Sequence, residues 1–311
     1  PSQDPDCWWT ATGCTTSKLP GIHPDIINCP QPNTWGVNDG PNCTSAYPGG
    51  FYDFLKSKNQ LASLYYIGSN VRDWPDTAIR GYSDGHHISV HTWSHPSMTW
   101  LSNTAVLAEL YFTKKLIKQV LGVTPLYWRP PLGDIDDRVR AIAAQLNLTA
   151  MLWTADSFDW EMNDGQSNAL TPAQVDANFQ AVLSSQAAGN FSKSGVVVLE
   201  HELNNGTTGK AEFWYPTILK QFTHVVPFAA CAGIVQPYAE ANITFPTFAS
   251  LTGTSGASPA NASNPTAGAS SATTTNAPAS SVKKSGAIAG VAGISWAILI
   301  AAGFAGLACS L

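Results

Sequence analysis

Charge is scarce in this sequence. Only 12% of its 311 residues are Asp, Glu, Lys or Arg, about half the ordinary share for a soluble protein. The 16 Lys and Arg are outnumbered by 21 Asp and Glu, leaving a formal net charge of −5. No basic patch is large enough to track a phosphate backbone, so nucleic acid is excluded as a partner. The zinc-protease motif HExxH is missing, and no internal repeat is visible. What the chain does have is apolar and aromatic: 44% hydrophobic residues with 11 Trp, which excludes a wholly disordered chain.

Composition changes sharply near residue 250. From there to Ser285 the chain is Ser, Thr, Ala, Pro, Gly and Asn, with almost no large apolar side chain. Such a segment cannot bury enough surface to offset its ordering entropy, and Ser/Thr/Pro-rich stretches read as O-glycosylated stalks. After Lys283 and Lys284 comes an apolar run, AIAGVAGISWAILIAAGFAGLACSL, with no basic residue beyond it. Small residues, a short polar spacer and a terminal apolar tail form the pattern of a GPI-attachment signal; a tail-anchored helix is the other reading. The expected division is an N-terminal extension at 1–27, a folded domain at 28–235, a stalk at 236–285 holding the attachment region, and a removable signal at 286–311.

The start, PSQDPDCWW, reads as a mature N-terminus left by signal-peptide removal. Six N-x-S/T sequons, at Asn42, Asn147, Asn190, Asn205, Asn242 and Asn261, agree with a secreted glycoprotein. Of the 6 Cys, Cys309 lies in the tail, leaving Cys7, Cys14, Cys29, Cys43 and Cys231. An odd set in an oxidising compartment predicts two disulfides and one leftover thiol. Cys29 with Cys231 is the favoured pair, because they bracket the expected core.

The body alternates apolar strand-like runs with helical patterns. Strands are expected at 61–67 (LASLYYI), 87–91 (HISVH), 125–129, 148–154, 196–201 (VVVLEH) and 224–228. Helices are expected at 103–121, stopped by Gly122, at 136–145, at 171–188 with Thr171 as N-cap and Pro172 in the first turn, and at 212–222. Alternation of this kind implies parallel strands joined by helices. The expected fold is α/β: a distorted or incomplete (β/α) barrel of six to seven parallel strands.

In such folds the site forms at the C-terminal strand ends, and the unusual polar clusters fall there. They are Asn38-Asp39-Gly40-Pro41, His91-Thr-Trp-Ser-His95, Arg129-Pro-Pro-Leu132-Gly-Asp134, Asp156-Ser-Phe-Asp159-Trp160, and His201. Two His four apart can converge on one ion at about 2.0–2.1 Å, and Asp39 would complete a His₂Asp set with positions open for water and substrate. Two His at this spacing are also often ordinary core or surface residues. His201 can be a strand-end His making structural bonds, and Arg129 a rigid turn paired with Asp156. Trp93 and Trp160 can be core, or platforms for sugar rings.

Taken together and in this order, HTWSH at 91–95, RPPLGD at 129–134, DSFDW at 156–160 and VVLEH at 197–201 resemble the polysaccharide deacetylase family, the NodB-homology carbohydrate esterases. Within it, YWRPPLGDIDDRVRAIA is especially similar to fungal chitin deacetylases, and the resemblance covers about residues 28–235. It implies that Asp39, His91 and His95 hold one divalent metal, zinc or cobalt, and that His201 is the general acid. It implies that Arg129 and Asp156 orient the site, and that the backbone N–H of Leu132 helps hold the oxyanion. The implied substrate is chitin or chito-oligosaccharides, cut to acetate and glucosamine units. The implied setting is a monomer, GPI-anchored at the outer face of the plasma membrane or in the cell wall.

The first motif departs from the family. The family has two adjacent Asp, the first a general base; here the base position is Asn38. The segment TWGVNDGP is also two residues shorter than the fungal form. A neutral amide cannot take a proton from water, and losing a base costs on the order of 10²–10⁴-fold in rate. Three explanations stand: a catalytically impaired chitin-binding paralogue, replacement by another carboxylate, or a misplaced splice junction in the sequence. A third function, deacetylation of a different acetylated polysaccharide, is disfavoured by the fungal match.

Overall fold

The structure, a computed structural model, describes residues 4–40, 50–162 and 169–254. Eight strands occur among these: β1 Thr34–Asp39, β2 Ser63–Tyr66, β3 His87–Val90, β4 Tyr127–Trp128, β5 Thr149–Ala150, β6 Ala155–Asp156, β7 Val198–Leu199 and β8 His224–Pro227. Every pairing between them is parallel. The order is β5-β4-β3-β2-β1-β8, with β6-β7 as a separate pair. A parallel bridge from Trp35 to Val196 ties the approach to β7 onto β1. The strands thus curve round as an open, distorted (β/α) barrel of the expected class.

The seam lies between β5 and β6, where the expected continuous strand at 148–154 divides. Ile26 is inserted there, donating to the Ala150 carbonyl (2.9 Å) and accepting from the Leu152 N–H (2.8 Å). The chain then turns, and the Thr154 N–H reaches the Val197 carbonyl instead (3.0 Å). β1, β2 and β3 are buried at every position, as expected of parallel strands covered on both faces. Gly36 in β1 faces the Cys29–Cys231 bridge; a Cβ there would lie 3.0 Å from Cys29 Sγ.

The helices are α1 Trp9–Thr12, α2 Phe51–Ser57, α3 Gly68–Asp73, α4 Pro75–Ser83, α5 Asn103–Leu121, α6 Asp137–Gln145, α7 Pro172–Ala187, α8 Asn205–Gln221, α9 Phe228–Cys231 and α10 Phe248–Thr252. α5 matches its expected bounds, with Ser102 capping its start and Gly122 left-handed at its end (φ 77°). α7 begins with a full Thr171–Gln174 capping box. α8 starts seven residues before the expected 212, at an Asn204 cap that accepts from the Gly206 and Thr207 N–H groups.

Both ends of the described chain pack on the body. The Arg140 guanidinium in α6 is buried against Asp25 (2.6 Å) and donates to the Cys14 carbonyl (2.9 Å). Trp8 Nε1 donates to Asp134 (2.7 Å), and Trp9 packs edge-on to Trp153 (4.9 Å between centroids). Residues 236–245, within the expected stalk, are also part of the packed body. Tyr238 Oη accepts from the Ile88 N–H (3.0 Å), Glu240 binds Lys118 and Thr124, and Phe245 is buried. Disulfides join Cys29 to Cys231, the favoured pair, and Cys7 to Cys14. Cys43, Asn42, Asn261 and the signal-like tail at 286–311 lie outside the described residues. No helix among the described residues is long and apolar enough to cross a membrane.

Candidate active site

The chemistry-bearing residues come from one rim of the barrel. His91 follows β3 directly, and its N–H donates to the Tyr66 carbonyl of β2 (2.9 Å). Its Nδ1–H donates to the Arg129 carbonyl (2.7 Å), so the lone pair of the neutral ring is on Nε2. The His95 ring stands 4.8 Å from the His91 ring, centroid to centroid. Burial pushes both imidazoles toward the neutral form. The His91 value falls well below the usual range, and that of His95 to about 4.

The loop between these two His is held from both sides. Glu109 of α5 accepts from the Trp93 N–H (2.7 Å), the Ser94 N–H (2.9 Å) and the Ser94 hydroxyl (2.7 Å). The first N–H groups of α3 take the carbonyls: Gly68 donates to Thr92 (2.8 Å) and Ser69 to Trp93 (3.0 Å). Only Gly fits at 68, since a Cβ would lie 2.6 Å from both Trp93 and Thr113. Thr92 and His95 both sit at positive φ, 64° and 57°, a strained state that persists only where the surroundings over-determine it.

His201, just past β7, is half-buried. Its Nδ1–H donates to Asp159 Oδ1 (2.7 Å) and its backbone N–H to Asp159 Oδ2 (2.8 Å). Asp159 is buried, so one carboxylate fixes both the ring and the chain that bears it. This is the orienting partner that the sequence reading missed. Asp159 stood in the DSFDW motif, but the role was assigned to Asp156. Asp156 instead accepts from the Phe158 N–H (2.8 Å). Desolvation pushes its carboxyl up to about 6, partly offset by hydrogen bonding from Phe158 and Trp160.

Arg129 is not paired with Asp156. Its guanidinium lies 3.7 Å from the centre of the Tyr65 ring. It donates to the Met151 and Leu152 carbonyls (3.2 and 3.4 Å). The strand carbonyls at the seam were free to accept because the ladder breaks there. Leu132 sits in the Pro131–Gly133 turn at φ 57°, with its side chain in solvent. Trp160 is 38% exposed beside Phe158. Trp93 lines a different space, a cavity of about 400 Å³ against α5 with Glu109, Phe112 and Lys115.

The first motif is not grouped with the two imidazoles, although Asp39 interacts electrostatically with Asp159 and Arg129. Asn38 is fully buried, and its Nδ2 donates to the Gly36 (3.1 Å) and Val198 (2.8 Å) carbonyls. It therefore acts as a cross-strand clamp between β1 and β7. Asp39 is also fully buried; Oδ1 accepts from the Gly40 N–H (2.8 Å), and Oδ2 has no hydrogen-bond partner among the described residues. Desolvation, and then the charges of Glu202, Glu200 and Asp159, push its carboxyl well above the usual range. Among the described residues, no three His, Cys, Asp or Glu side chains are grouped closely enough to hold a metal. The two imidazoles fit such an ion, but the expected His₂Asp set is not assembled.

Residues 35–151 match the family model for polysaccharide deacetylase. The chain carries a polysaccharide deacetylase domain. Over 250 residues it is 48% identical to chitin deacetylase 2 of Cryptococcus neoformans var. grubii, covering 79% of this chain and 54% of that one. It is also 48% identical over 239 residues to the chitin deacetylase of Amylomyces rouxii, covering 76% and 55%. The chain thus spans about half the length of these curated relatives. The solved chitin deacetylase from the fungal pathogen Colletotrichum lindemuthianum shares the fold of this deacetylase domain. The TM-score is 0.60 at 21% identity, over 71% of this chain and 96% of that one.

Proposed function

We propose that the chain hydrolyses the N-acetyl groups of chitin or chito-oligosaccharides, giving acetate and free glucosamine units. The observation carrying this reading is 48% identity to fungal chitin deacetylases over most of the chain. The rim supports it. Water adds to the acetamido carbonyl carbon, the carbon–nitrogen bond breaks, and the departing amine needs a proton. His201 Nε2, left with the lone pair because Nδ1–H is committed to Asp159, takes a proton from the adding water and passes it to the departing amine. A general acid so placed contributes about 10²–10⁴-fold. The Leu132 backbone N–H, in an exposed turn beside Arg129, is the donor proposed for the developing oxyanion. Trp160 offers a half-open aromatic face to a sugar ring. Asn38 takes no part as a base, since its amide is neutral and both donors are engaged with carbonyls.

The reading includes one divalent ion, zinc or cobalt, with His91 and His95 as the residues brought together for it. It also includes a monomer secreted and GPI-anchored at the outer membrane face or cell wall. The exposed sequons Asn147, Asn190, Asn205 and Asn242 are open to glycosylation.

The test is acetate release from a chitin oligomer by the purified full chain. Wild type should release acetate. Asp159→Asn should lower kcat by about 10²–10⁴-fold with little change in KM, because the ring loses its fixed orientation. A wild-type chain that releases no acetate with either zinc or cobalt supplied would sink the reading.

A further inference from the structure

We infer that a divalent ion at this rim is held by His91 and His95 without Asp39, because β1 ends too early to deliver its carboxylate. Strand register carries the argument. Asp39 pairs with Leu64 of β2, and Leu64 pairs with Ile88 of β3. Asp39 is therefore level with Ile88, whereas His91 lies three residues further on, just past the end of β3. At roughly 3.3 Å per residue that is about 10 Å. Donors to one ion lie about 2.0–2.2 Å from it, so they must be neighbours. On its other flank, the Trp35–Val196 bridge sets Asp39 level with Glu200. Its electrostatic neighbours are accordingly the carboxyls of Glu202, Glu200 and Asp159, together with the Arg129 guanidinium.

β1 cannot slide outward to close the gap. Four register pairs, from Thr34 with His224 to Val37 with Pro227, lock its first half to β8. The Asn38 amide locks its second half to Val198 of β7. A change of Asn38 to Asp would not rebuild the motif, because it would set a carboxylate against two carbonyl oxygens. Two added residues would bring Asp39 within one residue of the His91 level. They advance Asp39 by about 7 Å while keeping its face, since side chains alternate with period two.

The inference rests on the deacetylase reading only for the expectation that a divalent ion binds at all. Zinc affinity of the full chain, measured by titration calorimetry, tests it. Asp39→Asn should stay within about threefold of wild type, and His95→Ala should weaken binding by at least about tenfold. A two-residue insertion between Val37 and Asn38, checked for folding by circular dichroism, should tighten binding by at least about tenfold. Equal losses in Asp39→Asn and His95→Ala would overturn the inference. So would a folded insertion variant with unchanged affinity, or a wild type that binds no zinc. Acetate release measured on the same samples reports on the deacetylase reading separately, because its absence leaves the ligand assignment standing on the titrations.

Discussion

At the residue scale, the two Asp of DSFDW divide the work by environment. Asp159 is buried with both oxygens accepting from His201. Asp156 accepts from the Phe158 N–H and is bonded by the Trp160 side chain, yet desolvation raises its carboxyl from 3.8 to about 6. A raised acid binds its proton better in the folded chain. Its contribution to stability is therefore fully present below about pH 4 and is lost as pH rises through about 6. Asp156→Asn keeps the acceptor and removes the charge. It should stabilise the chain by about 3 kcal/mol at pH 8 and leave it unchanged at pH 4. Thermal melts of the two proteins at both pH values check this. The motif's letters showed two carboxylates at a strand end. Which one meets His201 depends on a turn with Phe158 at φ 55°, and residue type does not encode that choice.

At the element scale, the segment 92–95 behaves as a short strap between α3 and α5. Its amides are taken by Glu109 and its carbonyls by the N-terminus of α3. A carboxylate accepting three hydrogen bonds contributes more than a neutral acceptor. Glu109→Ala leaves the Trp93 and Ser94 N–H groups without that acceptor and should cost roughly 1–3 kcal/mol. Glu109→Gln can keep all three bonds, with its oxygen toward the amides and its NH₂ toward the Ser94 hydroxyl, so it should recover most of that loss. Denaturant midpoints of the two variants distinguish these outcomes. The α5 pattern was fully legible because a long amphipathic helix with a Ser cap and a Gly stop carries its own signals. Glu109 was not legible as a clamp, since a Glu on a helix ordinarily faces water.

At the scale of the molecule, distant segments hold the barrel shut. The Cys29–Cys231 disulfide spans 202 residues and joins the approach to β1 with the helix after β8. In the chain-entropy view a loop that long is worth about 5 kcal/mol. The paired change Cys29→Ser with Cys231→Ser should therefore destabilise the chain by roughly 2–5 kcal/mol, read from the denaturant midpoint under non-reducing conditions. The N-terminal residues reinforce the same face. Ile26 fills the seam between β5 and β6, and Asp25 neutralises Arg140 inside the body. Residues 1–27 read as an extension because they lack a strand or helix period, yet a single residue in extended form suffices to complete a ladder.

The sequence by itself determined the class of fold, because apolar strand runs alternating with capped helices leave parallel β/α packing as the consistent solution. It also determined which motifs line the rim, since polar residues directly after buried strands emerge at one end. Tertiary structure alone decided which of those residues meet. Strand register set Asp39 about three residues short of His91. A broken ladder gave Arg129 carbonyls and the Tyr65 ring in place of Asp156. A turn brought Asp159 to His201. Register and turn geometry depend on contacts between segments far apart in the chain, so local spacing cannot carry them.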